Sequence, residues 1–183
     1  EALFSEDFEG FDVDAAPQAD GYTHSGEVKV VAADGQGKAL QLTKTDAGDA
    51  LFTIDLGQEF ANHSVSFMLY KPTGAGSFSV TLANKEKAQP GFQIVDSGEI
   101  RYRDSKGDVS GNTKTGTIAL DEWEELEIQF GGGNYSIWVN GVKQGNDIAY
   151  TGSVQYIRFQ QKGTANVNVL VDNVEVNELP AGN

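Results

Sequence analysis

A chain of 183 residues is long enough to bury about two-thirds of its surface in one domain. Its formal charge of −14 at pH 7 sets it against nucleic acid and anionic membrane, both of which repel it at long range. Without cysteine there is neither a disulfide framework nor a thiolate site. With 39% hydrophobic residues, 22 Gly and only 4 Pro, the chain is globular rather than disordered. No apolar run approaches the roughly 20 residues that span a bilayer. The N-terminus lacks a basic and apolar leader pattern, so Glu1 reads as the residue after a removed leader or a cloning boundary.

The chain opens on Leu3-Phe4-Ser5-Glu6-Asp7-Phe8-Glu9-Gly10 and nearly closes on Val169-Leu170-Val171-Asp172-Asn173-Val174-Glu175-Val176. Carboxylates set among β-branched and aromatic residues read as strand ends that meet and share a hard cation. Between them, apolar residues recur with period two and not with period 3.6. Val65, Phe67 and Leu69 alternate with Ser64, Ser66, Met68 and Tyr70, and Phe78, Val80 and Leu82 with Ser77, Ser79 and Thr81. Leu126, Ile128 and Phe130 follow the same rule, then Tyr135, Ile137 and Val139. Each predicts a strand with one face in a core. Further strands are predicted at 28–31, 39–43, 51–56, 91–95, 100–103, 154–161 and 167–176. Asp121 to Glu125 hints at a helical turn but reads better as the lead into the next strand.

Turn chemistry separates these runs: Gly35-Gln36-Gly37, Asp96-Ser97-Gly98, Ser105-Lys106-Gly107-Asp108 and Gly131-Gly132-Gly133-Asn134 all supply residues that tolerate positive φ. Asn140-Gly141 between apolar runs is the strongest short-range hairpin signal. About a dozen short strands without a linker or an internal repeat predict an all-β, two-sheet antiparallel sandwich over residues 1–177. Residues 178–183 read as a tail or the start of a linker to another domain.

The order Phe8-Glu9-Gly10, Gly37-Lys38-Ala39-Leu40-Gln41-Leu42, Trp123 before Leu126-Glu127-Ile128, Tyr135-Ser136-Ile137-Trp138-Val139-Asn140-Gly141 and Val171-Asp172-Asn173-Val174 spans nearly the whole chain. It resembles the concanavalin A-like lectin/glucanase superfamily, and within it the jelly-roll carbohydrate-binding modules of bacterial polysaccharide-degrading enzymes. That resemblance implies a jelly roll and a structural calcium tying the first strand to the last. Its ligands would be Glu9 and Asp172, with Asp7 nearby and carbonyls from the 35–38 loop, which is the oxygen-rich set calcium requires. Asp12 and Asp14 read as a solvated loop.

Chemistry is sparse. His24 and His63 stand in polar loops without metal-ligand spacing. A retaining glucanase of the superfamily would carry Glu-x-Asp-x-x-Glu on one strand, a spacing that the 122–127 run lacks. The lyase patterns Arg-x-Glu-x-Arg, Gln-Ile/Val-His and Tyr-x-Lys-x-Gly are only echoed by Arg101-Tyr102-Arg103 and Gln93-Ile94-Val95. There is no Gly-x-Ser-x-Gly elbow and no phosphate loop.

Sugar binding needs aromatic planes for pyranose C–H faces and planar polar groups for hydroxyls. Alternation places Tyr156, Arg158 and Gln160 opposite a core face made by Ile157 and Phe159, and Arg101 and Arg103 opposite Ile100 and Tyr102. Gln93 and Tyr70 extend that surface if their strands are neighbours, and Trp138 is a further aromatic platform. Lys85, Glu86 and Lys87 are candidates for its rim. Arginines binding carboxylate or sulfate would suit an acidic polysaccharide; cross-strand pairing with Glu and Asp is the bland alternative. The expectation is a non-catalytic module of a secreted or cell-surface glycanase or lyase. It would be monomeric, bind a polysaccharide or oligosaccharide, and make no contact with nucleic acid or membrane. A small lyase or hydrolase, or an adhesion or spacer domain, are the alternatives.

Overall fold

The computed structural model describes residues 1–84 and 88–180. In chain order its strands are β1 (Phe4–Glu6), β2 (Tyr22–Ser25), β3 (Glu27–Ala33), β4 (Gly37–Thr43), β5 (Ala50–Phe60), β6 (His63–Tyr70), β7 (Phe78–Ala83) and β8 (Ala88–Ile94). They continue as β9 (Glu99–Tyr102), β10 (Lys114–Thr117), β11 (Trp123–Gly131), β12 (Asn134–Val139), β13 (Val142–Ala149), β14 (Val154–Gln161) and β15 (Asn168–Glu178). Among the described residues no helix is long and apolar enough to cross a membrane.

Two antiparallel sheets make a jelly-roll sandwich. Sheet A runs β13-β12-β11-β6-β15-β4-β3, with β1 also paired to β15, and sheet B runs β10-β9-β8-β7-β14-β5-β2. The first and last segments do meet: Phe4 lies opposite Val176 and Glu6 opposite Val174. The alternating apolar residues of both sheets face each other. Phe67 of sheet A and Phe159 of sheet B, 1% and 0% exposed, meet edge-to-face with centroids 5.0 Å apart. Each such side chain contributes about 1.5–3 kcal/mol by leaving water. Phe8 is also fully buried and packs edge-to-face on Phe52 at 6.2 Å, so the N-terminal segment closes one margin of the sandwich.

The Asn140-Gly141 hairpin forms as its sequence requires, with φ of +48° and +78° and Val139 paired to Val142. Three strands escape period two. β2 and β10 have only four residues each, and β13 reads exposed almost throughout because it is an edge strand. In β13 the pairing jumps from Gln144 to Ile148, which leaves 145–147 as a bulge on the margin of sheet A. β15 carries on through Glu178, two residues past the apolar run, while residues 181–183 of the expected tail lie outside the described residues.

Candidate functional site

The outward face of sheet B gathers six of the candidate ligand-binding residues. β14 pairs with β7, β7 with β8, and β8 with β9. Register places Gln160 beside Ser79, Ser79 beside Gln93, and Gln93 beside Arg101. One row along, Arg158 lies beside Thr81 and Thr81 beside Gly91, whose carbonyl accepts a 3.0 Å hydrogen bond from the Arg103 amide. Tyr156 continues the face beside Ala83. The two rows therefore run across four strands, with long polar side chains at their ends, Ser79 and Gln93 inside one row and Thr81 and Gly91 inside the other. Ser79 and Thr81 form the floor, only 2% and 4% exposed.

The floor depends on residues that carry no recognition chemistry and were not predicted. Gly91 leaves open the position between Thr81 and Arg103, and a Cβ there would come within 2.4 Å of the Val80 carbonyl oxygen. The register slips beside it, so that Thr81 faces Gly91 and Leu82 faces Gln89, which leaves Pro90 in a bulge where its missing N–H costs nothing. Tyr135, on β12 of the other sheet, reaches through the core. Its hydroxyl bonds the Arg103 carbonyl and lies 3.2 Å from the Gly91 carbonyl. A Tyr in an alternating apolar pattern reads as core, so the sequence gives no sign of this bridge.

The arginines divide into two kinds. Arg101 is engaged: its Nε donates to Glu99 at 3.0 Å, and Lys114 approaches the other oxygen of Glu99 at 3.6 Å. Arg103 and Arg158 make no ion pair with a carboxylate among the described residues. Arg103 donates Nη1 to the Gly107 carbonyl at 3.0 Å, while its Nε is buried without a partner. Burial pulls the Arg103 guanidinium below its ordinary value, the Tyr135 hydroxyl opposes this, the positive charge of Arg158 adds to it, and the Asp108 carboxylate acts against it from beyond ion-pair distance. Arg103 thus feels a second cation in its own desolvated surroundings. Gln160 is held by Asp49 through a 3.0 Å bond from its Nε2.

Two predicted members belong elsewhere. Tyr70 lies on β6 and Trp138 on β12, both in sheet A, so the condition for Tyr70 to extend the arginine face is not met. The reason is topological: β6 pairs with β11 and β15, and its outward side points away from sheet B. Tyr70 packs instead on Trp123, centroids 5.7 Å apart. The rim candidates Lys85, Glu86 and Lys87 lie outside the described residues.

At the joined chain ends, Asp172 is 1% exposed on β15, where the pairing with β6 is irregular and Asn173 takes φ +48°. Its Oδ1 accepts the Asn173 amide at 2.8 Å. Burial, reinforced by the charges of Glu9, Asp7 and Glu6, pushes its carboxyl up to about 7. Glu9 reaches the 35–38 loop: its Oε2 accepts the Lys38 amide at 2.7 Å, and Gly37 leaves room for it, since a Cβ there would sit 2.8 Å from that oxygen. The Lys38 ammonium binds the Phe11 carbonyl at 2.7 Å. Asp7 accepts the Glu9 amide at 3.1 Å and lines a separate groove with Glu6 and Glu175. Among the described residues no three Asp, Glu, His or Cys side chains gather as metal ligands. Two carboxylates with loop carbonyls still fit a hard cation chemically, and the buried, acid-crowded Asp172 is the group such a cation would relieve.

No known family profile matches the chain, and no curated protein matches it. Solved structures do. A sialidase aligns with a TM-score of 0.72 at 13% identity over 97% of this chain, which spans 18% of the sialidase. A glycoside hydrolase family 16 endo-glucanase from Bacteroides ovatus aligns at 0.65 and 14% identity, covering 95% of this chain and 99% of that one. The carbohydrate-binding module CBM66 from Bacillus subtilis aligns at 0.57 and 13% identity, covering 92% and 99%. The chain shares the jelly-roll fold of these proteins, which include both an endo-glucanase and a carbohydrate-binding module.

Proposed function

We propose that the protein is a non-catalytic carbohydrate-binding module that takes an acidic polysaccharide on the outward face of sheet B. One observation carries the reading: Arg158 and Arg103 stand at two ends of one cross-strand row, without a carboxylate partner among the described residues, over a floor of Thr81 and Gly91. Apart from the attraction of Asp108 for Arg103, no carboxylate among the described residues neutralises this pair, which gains most from an anionic ligand that binds in bidentate fashion. Tyr156 offers a ring to a sugar face, and Gln160 and Gln93 offer amides to hydroxyls.

Three carboxylates at this face are engaged: Glu99 with Arg101 and Lys114, Asp49 with Gln160, and Asp55 with Gln155. This supports binding without turnover, because a glycosidase needs two carboxyl groups free to exchange protons and attack the sugar. We place the module in a secreted or cell-surface glycanase or polysaccharide lyase, where tethering raises the local concentration of the catalytic partner on the polymer. The alignment of the whole chain to less than a fifth of the sialidase accords with such an arrangement. Calcium would be structural, held by Asp172 and Glu9 with carbonyls of the 35–38 loop. It would supply the positive charge that the buried Asp172 lacks.

A glycan-array screen with and without calcium, paired with an assay for reducing-end and unsaturated products, tests the reading. Retention on uronic-acid or sulfated polymers without products supports it. Products, or retention on neutral polymers alone, overturn it.

A further inference from the structure

Trp138 stands on the opposite sheet from the arginines, and the groove around it has a different chemistry. Its volume is about 570 Å³. Pockets of several hundred Å³ suit small ligands, so this one has room for a short oligosaccharide. Trp138 is half-buried on the outward side of β12, between Glu127 of β11 and Lys143 of β13. Its indole Nε1 donates to Ser136 Oγ at 2.9 Å, so the ring is fixed before any ligand arrives. Fixing an aromatic plane in advance removes an ordering cost from binding.

The walls come from β11, β13 and the start of β12 itself, with Leu179 beyond β15. On one side the β13 bulge brings Asp147 back to Lys143, with an oxygen 2.7 Å from the ammonium. Both side chains remain partly exposed, 39% for Lys143 and 56% for Asp147. On the other side Gln129 and Asn134 line the groove with an amide each, and Leu179 follows β15 to its edge. Glu127, next to Trp138, is held by Gln129 and Ser64, and burial raises its carboxyl above the ordinary value. The groove therefore pairs a rigid aromatic plane with amides and an already neutralised ion pair. It holds no uncompensated cation.

We infer that this groove is a second saccharide site, specific for uncharged pyranose units stacked on Trp138, with hydroxyls bonded by Gln129, Asn134 and Asp147. The inference stands independently of the arginine face. The two sheets would then grip different chemistry, an acidic chain on one side and a neutral one on the other.

The chain has two tryptophans, so a Trp123→Phe background leaves Trp138 as the sole indole reporter. Titration of that protein with cellohexaose, laminarihexaose, mannohexaose and xylohexaose is the experiment. The expected result is a saturable change in Trp138 emission with at least one of them at up to about 10 mM, an affinity typical of one weak site. Asp147→Ala and Lys143→Ala, which alter only partly exposed side chains, should weaken it at least five-fold. Arg158→Ala should leave it unchanged even where binding of acidic polymer is lost. No response to any of the four sugars would overturn the inference. So would a response that both wall variants leave intact, or one lost on Arg158→Ala.

Discussion

The Tyr135 hydroxyl, carried by sheet A, hydrogen-bonds the backbone carbonyl of Arg103 in sheet B. A side chain 1% exposed thus reaches through the core and pins the backbone just after β9, at an arginine proposed to bind ligand. Gly91 keeps a second donor, the Arg103 amide, but no other donor to the Arg103 carbonyl is seen among the described residues. Tyr135→Phe should therefore leave a carbonyl unsatisfied and cost about 1–3 kcal/mol in urea unfolding. It should also weaken acidic-polymer binding, because Arg103 loses its backbone anchor without losing its charge. Unchanged stability and affinity would show that the bridge does not position the face.

Arg158→Ala should separate binding from folding. Arg158 supports no ion pair among the described residues, and its charge weighs against that of Arg103. The melting temperature should stay level or rise, while affinity for a polyuronate falls at least ten-fold, about 1.4 kcal/mol. Arg158→Lys should recover part of the affinity, since the charge returns without the planar fork. Titration calorimetry at two salt concentrations checks this: the wild-type affinity should depend more steeply on salt than that of the alanine variant.

The parts of the fold legible in the sequence are those where a strand has one dry side and one wet side. Val65-Phe67-Leu69 and Ile157-Phe159 announce both the strand and its inward face, and from them the outward positions of Tyr156, Arg158 and Gln160 follow. Neighbourhood is a different kind of information. Whether Tyr70 shares a sheet with Arg158 depends on which strands pair, and alternation is silent about that because either sheet buries Phe67 and Leu69 equally well. The same silence hides the grouping of Arg103 with Arg158, which sit about 55 residues apart and meet only through β7 and β8. Edge strands such as β13 are hidden for the opposite reason, since with neither face dry they carry no period.

Gly91→Ala should be costly for so small a change. The new methyl would fall 2.4 Å from the Val80 carbonyl oxygen, backbone that cannot rotate away. Two outcomes are expected, a loss of about 1–3 kcal/mol of stability as for other overpacked sites, and a weaker acidic-polymer interaction as β8 lifts the floor between the arginines. Denaturant unfolding beside calorimetry measures both. A stable variant with unchanged affinity would remove Gly91 from the account of the site.

Asp172 should link stability to pH and, under the proposed calcium site, to calcium. Its carboxyl titrates at about 7 in the folded protein against 3.8 for the free group, because it is buried and faces Glu9, Asp7 and Glu6, with the Lys38 ammonium bound nearby to the Phe11 carbonyl. Between those values the folded state holds a proton that the unfolded state has released, so unfolding becomes easier as pH rises. With a chelator present, this group's effect should be absent below about pH 4, destabilise progressively up to pH 7, and level off above it. The gap between the two values corresponds to at most on the order of 4 kcal/mol. Calcium needs the deprotonated carboxylate, so its stabilisation should grow over the same range. Melting curves from pH 4 to 8, with calcium or with chelator, should therefore diverge as pH rises. In Asp172→Asn the divergence should vanish and the chelator curve should lose the slope this carboxylate imposes. Gly37→Ala, at φ +70° and crowding the Glu9 carboxylate, should reduce the calcium effect while keeping the pH slope set by Asp172. Parallel curves in the wild type would remove calcium from the joined chain ends.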